Sequence, residues 1–296
     1  MVSNAVSSPI TKRLYSFALD QFCGWYFSEP REPMSKAVLQ QYRASLEERA
    51  YAPATIRLHL AALRRLVVEA ADNGLIDPSI AAAILRVRGP RTHGRRIGKW
   101  LTLQQSSELL NRPDGSLRGK RDRAILGLLM GCGLRRAEIC SLQTTHLQLR
   151  EERWVIADLK SKQGRVRTVP LPSPVILLVQ EWITASGIGP GPLFWAINKA
   201  GRLTRAGLTA QAVYDIVKNR AWHCDPGIAP HDLRRTFAKL AFAADPRLDQ
   251  VQVVLGHASV KTTEAYLGLS QDLKNSPGDR IAFCLQGRSD DTREQD

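Results

Sequence analysis

The run Arg153-Trp154-Val155-Ile156-Ala157-Asp158-Leu159, separated from Val166-Arg167-Thr168-Val169-Pro170 by Lys160-Ser161-Lys162-Gln163-Gly164-Arg165, decides the fold class. Val, Ile, Trp and Thr recur in both runs, and a further extended segment lies just upstream over 145–150. Three short strands with turn residues between them predict a small antiparallel sheet. Outward from it the signals are helical: 103–112 and 118–132 before the sheet, then 173–186, 208–222, 231–244, 247–255 and 260–267 after it. The part of the chain after Trp100 therefore reads as an α+β domain.

Farther upstream the strand signal disappears. Ile56, Leu60, Leu63, Val67 and Ala70 recur in steps of three and four, which puts them on one face of a helix over 55–73. Helical segments at 10–28, 35–49 and 78–86 surround it, and together they predict a small all-helical bundle. The opposite face carries Arg57, Arg64 and Arg65, candidate phosphate contacts or an ordinary solvated surface. Between Arg86 and Trp100, Arg86, Arg88, Arg91, Arg95, Arg96 and Lys99 occur with Gly89, Pro90, Gly94 and Gly98 and without an acid. This is the composition of a flexible basic linker, able to displace counterions from a duplex along Arg91, Arg95, Arg96 and Lys99. The expected boundaries are a helical domain over 1–88, a linker over 89–100, a second domain over 101–286 and a polar tail over 287–296.

A chain of 296 residues can bury two cores without disulfides or metals, and its net charge of +14, from 42 Lys plus Arg against 28 Asp plus Glu, points to a polyanionic partner. The longest apolar runs, near Ala124–Met130 and Val175–Val179, are too short to span a bilayer, so nucleic acid is favoured over membrane. The N-terminus lacks the features of a secretory signal, which predicts a cytoplasmic protein. Five cysteines, Cys23, Cys132, Cys140, Cys224 and Cys284, are widely spaced and form no C-x-x-C pair, so neither a disulfide framework nor a zinc site is expected.

Four segments carry chemistry. In order they are Gly133-Leu134-Arg135-Arg136-Ala137-Glu138-Ile139, Lys160-Ser161-Lys162-Gln163-Gly164-Arg165, His231-Asp232-Leu233-Arg234, and Leu255-Gly256-His257, nine residues before Tyr266. Singly each is weak: an Arg and Glu three apart stabilise many helices, and a lone Tyr is more often a packing residue. In this order, over about residues 10 to 286, they resemble the tyrosine recombinase, or phage integrase, family, in its two-domain, Xer-like form. The resemblance implies a mainly helical protein, with an N-terminal SAM-like core-binding domain followed by an α+β catalytic domain with a small antiparallel sheet. About ten residues precede the first helix, so no added arm-binding domain is expected.

The chemistry explains the residue types. Attack on a phosphodiester places negative charge on the non-bridging oxygens, which two guanidinium groups can hold with paired donors; Arg135 and Arg234 are the candidates. A tyrosine hydroxyl ionises near pH 10, so Tyr266 as nucleophile needs a cationic neighbourhood or a base, for which His231 is the candidate. The leaving 5′-oxygen needs a proton from a general acid. Alignment with the family's third strand assigns this to Lys162, with Lys160 the competing assignment. His257 would place a ring N–H on the phosphate, and Glu138 would orient the Arg135 helix. No acid occurs from Leu159 to Gln180, which argues against a two-metal nuclease, and no metal or cofactor is expected. Arg235 where the family often has His, and Gln163 where Gly is common, are the departures.

The resemblance further implies a 3′-phosphotyrosyl intermediate, rejoining without ATP, and double-stranded DNA with short recombination sites as substrate. It also implies a homotetramer on DNA whose C-terminal segment docks in trans through Ile281, Phe283 and Leu285. The activity would serve DNA integration, excision or replicon dimer resolution. A type IB topoisomerase-like enzyme and a catalytically silent DNA-binding regulator are the alternatives.

Overall fold

The computed structural model describes residues 6–91, 98–160, 164 and 166–268. Contacts divide the chain into two units, Met1–Arg96 and Ile97–Asp296. No helix among the described residues is long and apolar enough to cross a membrane.

The first unit holds α1 (Pro9–Tyr26), α2 (Lys36–Glu48), α3 (Pro53–Asp72) and α4 (Pro78–Leu85). Proline opens α1, α3 and α4, where its missing N–H has no intrahelical partner to lose. Ser35 caps α2 through its hydroxyl, and the Asp77 carboxylate caps α4. The stripe Ile56, Leu60, Leu63, Val67 and Ala70 is buried as its spacing predicts. Its larger members pack on Phe22 of α1, Leu39, Tyr42 and Leu46 of α2, and Ile84 of α4. Each fully buried Leu or Ile there contributes about 1.5–3 kcal/mol. Arg64 hydrogen-bonds the Val87 carbonyl beyond α4, and Arg65 pairs with Glu69 one turn on at 2.8 Å.

The second unit runs α5 (Leu103–Asn111), α6 (Leu117–Gly131), α7 (Arg136–Ser141), a 3-10 turn (Thr144–His146), β1 (Leu147–Arg150), β2 (Arg153–Lys160), β3 (Val166–Pro170), α8 (Ser173–Ser186), β4 (Trp195–Ile197), β5 (Leu203–Gly207), α9 (Ala210–Ala221), α10 (Pro230–Ala244), α11 (Leu248–Leu255) and α12 (Val260–Leu267). Strands β1, β2 and β3 form the expected antiparallel sheet. The β4–β5 pair is an addition that the sequence reading lacks, because strands of three and five residues carry too little alternation to register. The main core joins α6, α8, α9 and the inner face of the sheet around Trp182 and Phe194. A smaller core of Ala238, Val251, Leu255 and Leu267 fastens α12 to α10 and α11.

A bulge in β2 positions part of the site. Ile156 pairs with Val169 but Leu159 pairs with Arg167, so two residues of β2 face one of β3, and Asp158 takes a left-handed φ of 54°. Val155, Ile156 and Ala157 are consequently all buried, while Lys160 emerges on the surface.

Candidate active site

Glu138 is the anchor of the site. It is the third residue of α7, and its Oε2 accepts from the backbone N–H of Arg135 at 2.8 Å, closing the helix N-terminus. Its Oε1 accepts from Arg135 Nη1 at 2.7 Å. From β3, Arg167 grips both carboxylate oxygens with Nη1 and Nη2, each at 2.9 Å. The carboxylate is 6 % exposed. Burial pushes its pKa up, but the Arg167 fork, the Arg135 backbone N–H and the charge of Arg167 prevail and hold it below the usual carboxylate range.

Arg167 is the residue that sequence reasoning overlooked. Its Nε donates to the Val254 carbonyl at 2.9 Å, and Arg234 Nη2 donates to the next carbonyl, Leu255. Two guanidinium groups thus satisfy the negative end of α11, where the helix leaves carbonyls unpaired. Gly256 then turns the chain with φ 62°, and a Cβ there would lie 3.0 Å from Arg167 Cδ. That is the physical reason for glycine between Leu255 and His257. One signal pointed to Arg167: a strand arginine in an acid-free stretch must find its counter-charge elsewhere in the fold.

Arg234 lies on α10, whose N-terminus is closed by Asp232 accepting from the Ala229 N–H at 3.1 Å. Its side chain is 1 % exposed. Nη1 donates to the Gly133 carbonyl at 2.6 Å. Burial, then the neighbouring charge of Arg135, lowers its pKa to about 10, which leaves it a cation at neutral pH. Gly133 has φ 61°, and a Cβ there would lie 2.4 Å from the Phe237 ring, so the glycine preceding Leu134 and Arg135 is demanded both by backbone and by packing.

His257 Nε2 is 3.3 Å from Arg234 Nη2, and its Nδ1 is 3.0 Å from Thr263 Oγ1. Arginine only donates, so Nε2 accepts and the proton sits on Nδ1, directed to Thr263. In this arrangement the ring supports Arg234. Burial and the charges of Arg234 and Arg135 lower its pKa to about 4.

Tyr266, on α12, stands edge-on to both histidines, with ring centroids 5.2 Å from His231 and 5.4 Å from His257. Its hydroxyl donates to the backbone carbonyl of His231 at 3.0 Å. Burial raises its pKa, against the opposing charges of Arg234 and Arg235. The His231 pKa is lowered by burial and by Arg235 and Arg234, so the imidazole is neutral at pH 7 and able to take a proton. Beside this group Arg135, Arg136, Ala137, Tyr214, Pro230, His231 and Arg234 line a cavity of about 450 Å³. Tyr214 is a further lining residue without any motif to announce it.

The fold therefore brings Arg135, Glu138, His231, Arg234, His257 and Tyr266 together. Lys162 lies outside the described residues, as do Arg95, Arg96, Ile281, Phe283 and Leu285. Lys160 is exposed at the end of β2. Arg57, Arg64, Arg65 and Arg91 belong to the first unit. Lys99, read as part of a basic linker, is paired with Asp225 at 2.7 Å, and Leu101 N–H donates to Thr236 of α10. Among the described residues no three His, Cys, Asp or Glu side chains converge to hold a metal.

Residues 99–272 match the model of the phage integrase family. The chain is 31 % identical to tyrosine recombinase XerD of Mycobacterium leprae, over 70 % of this chain and 67 % of that protein. It is 29 % identical to tyrosine recombinase XerC of Alcanivorax borkumensis, over 82 % and 78 % respectively. The fold resembles that of the XerH site-specific recombinase bound to its difH substrate before cleavage, with a TM-score of 0.67 at 20 % identity, covering 89 % of this chain and 76 % of that one. A match over more than half of the chain, with these motifs converging on one site, establishes that it belongs to the phage integrase family, as a tyrosine recombinase that cleaves and rejoins DNA at specific sites.

Proposed function

We propose that Tyr266 Oη attacks the scissile phosphorus while Arg135 and Arg234 hold the non-bridging oxygens. The observation that carries this reading is the Tyr266 ring set between His231 and His257 beside the Arg135–Arg234 pair. The phenol proton passes to neutral His231, the bond from phosphorus to the 5′-oxygen breaks, and that oxygen takes a proton from a lysine, which we assign to Lys162. The products are a 3′-phosphotyrosyl bond and a 5′-hydroxyl, and the reverse attack rejoins the strand without ATP or a metal ion. In the hydrogen-bonded state the hydroxyl faces a carbonyl that cannot accept its proton. Substrate must therefore turn the hydroxyl from that carbonyl towards the His231 ring and the phosphate.

The substrate is double-stranded DNA carrying short recombination sites, acted on in the cytoplasm by a homotetramer in which the segment around Ile281, Phe283 and Leu285 docks on a neighbour. The helical unit and the basic stretch with Arg91, Arg95 and Arg96 supply sequence-independent affinity. DNA integration, excision and dimer resolution all use this chemistry.

A nicked duplex carrying inverted repeats from the DNA flanking the coding region tests the reading. The intact chain is expected to form a covalent adduct that survives denaturant and excess EDTA, whereas Tyr266→Phe binds the duplex and forms none. An adduct with Tyr266→Phe overturns the assignment of the nucleophile. Relaxation of plasmids without strand exchange between sites would favour a topoisomerase. A bridging 5′-sulfur, which departs without a proton, should rescue Lys162→Ala and leave Arg135→Ala impaired; rescue of Lys160→Ala alone would move the general acid to Lys160.

A further inference from the structure

Arg235 immediately follows Arg234 at a position where the resemblance leads one to expect histidine, and the mechanism above does not use it. Its guanidinium carbon lies 4.8 Å from the centroid of the Tyr266 ring, within cation–π range. Two features hold it there. Asp232, itself fixed at the N-terminus of α10, accepts from Arg235 Nη1 at 3.2 Å, and the two side chains are only 15 % and 17 % exposed. On another side the backbone of Gly98 passes so close that a Cβ at that position would lie 1.4 Å from Arg235 Nη1. The guanidinium thus occupies a slot bounded by the nucleophile's ring, a fixed carboxylate and a glycine backbone.

We infer that Arg235 is a positioning residue for the nucleophile, holding the Tyr266 ring in the site and placing a cation on its face, and that Gly98 is glycine so that the guanidinium can lie there. The inference rests on the proposed role of Tyr266. A flat guanidinium stacks on a ring in a way a histidine at the same place need not, and its charge persists at every relevant pH. The charged and titratable groups around Tyr266 are His231, Asp232, Arg234 and Arg235 on α10, Arg135 at the start of α7, and His257 before α12. Within that set Arg234 is already tied to the Gly133 and Leu255 carbonyls and to His257. Arg235 is the cation over the ring face, and it opposes the burial that raises the phenol's pKa.

The experiment reads Tyr266 directly, without turnover. Ultraviolet titration of phenolate in the full chain, minus the same titration of Tyr266→Phe, isolates the ionisation of this one tyrosine. In Arg235→Ala that ionisation is expected to move up by about one pH unit, and in Arg235→Lys, which keeps the charge, by less. Gly98→Ala, which displaces the guanidinium without removing it, should shift it in the same direction. Adduct formation on the nicked duplex at pH 7 should slow by about five- to thirtyfold in Arg235→Ala, the range of a cation–π contact in a partly desolvated site. DNA affinity should hold, and raising the pH should recover the rate. Because Arg235 also depresses His231, the acid limb of the profile should move up with the alkaline one. An unmoved Tyr266 titration in both Arg235→Ala and Gly98→Ala overturns the inference. Should Arg235→Ala fail to fold, Gly98→Ala and Arg235→Lys decide it. A chain that forms no adduct through Tyr266 would instead overturn the proposed nucleophile, while the titration still judges the contact.

Discussion

Two buried carboxylates in the second unit invite comparison. Asp122, on α6, has a side chain 4 % exposed. It takes Arg121 on Oδ1, at 3.1 and 2.8 Å, and Arg220 on Oδ2, at 3.0 and 2.8 Å. Glu138, 6 % exposed, takes Arg167 and Arg135, with Arg234 Nη1 4.0 Å away. By burial and charge the two clusters are nearly alike. They differ in what surrounds the arginines. Both partners of Asp122 come from α6 and α9 and tie those helices together, and the cavity of about 410 Å³ that Arg121 and Arg220 line has no histidine or tyrosine among its described lining residues. Around Glu138 the partners come from α7, β3 and α10, and Arg135 remains 35 % exposed on a cavity it shares with His231. A buried ion pair is therefore no mark of function by itself; what sets the Glu138 cluster apart is positive charge that reaches a cavity beside the proposed nucleophile.

The largest expected contrast is in catalysis. Arg234→Ala should slow adduct formation by about 10²–10³, the effect of removing a donor to developing negative charge. Arg220→Ala should leave the rate per folded molecule as it was. A comparable loss in both, measured on the nicked duplex with the folded fraction fixed by circular dichroism, would erase the distinction between the clusters.

The next contrast separates stability from activity. Glu138→Ala and Asp122→Ala each leave buried arginines without their counter-charge, which costs about 3–5 kcal/mol for a buried pair. Urea unfolding should therefore show similar losses. Only Glu138→Ala should also lose cleavage when folded protein is compared, because Arg135 and Arg167 lose their reference point. Full activity in folded Glu138→Ala would reduce Glu138 to a packing residue.

The smallest effect is on acid stability. The Glu138 carboxyl titrates below its ordinary range when folded, so its contribution is present above the unfolded pKa of about 4.3 and fades as pH falls through the folded value. The stability gap between the intact chain and Glu138→Gln should be constant from neutral pH down to about 5 and narrow below about 4. A gap that widens in acid would contradict the depressed pKa.

Much of this arrangement could be read before the structure. The stripe from Ile56 to Ala70 reports local periodicity, which survives into the fold because one face of the helix must be buried, and the β-prone residues around Val155 mark a strand even where a bulge breaks its alternation. Helix starts were nearly as readable, since proline and polar caps act within a few residues; α3 begins at Pro53, ahead of the expected start at 55. The turn at 151–152 was placed by the flanking strands, but its left-handed conformation at Glu151 and Glu152 was not, because those positions usually carry Asn or Gly. The β4–β5 pair was hidden for a related reason: strands so short are stabilised by what they pack on.

Read alone, the sequence carried the family resemblance, the order of the elements apart from β4 and β5, and the candidate site residues, because motifs and caps are local patterns. The Arg167 fork on Glu138, the support of Arg234 by His257 and the seat of Arg235 over Tyr266 were decided only by the tertiary structure. Each of these contacts joins residues 23 to 31 positions apart or depends on a backbone that approaches from elsewhere, as Gly98 does. A side chain's partner across such distances is set by packing, and packing is a property of the folded chain that no local pattern of residues encodes.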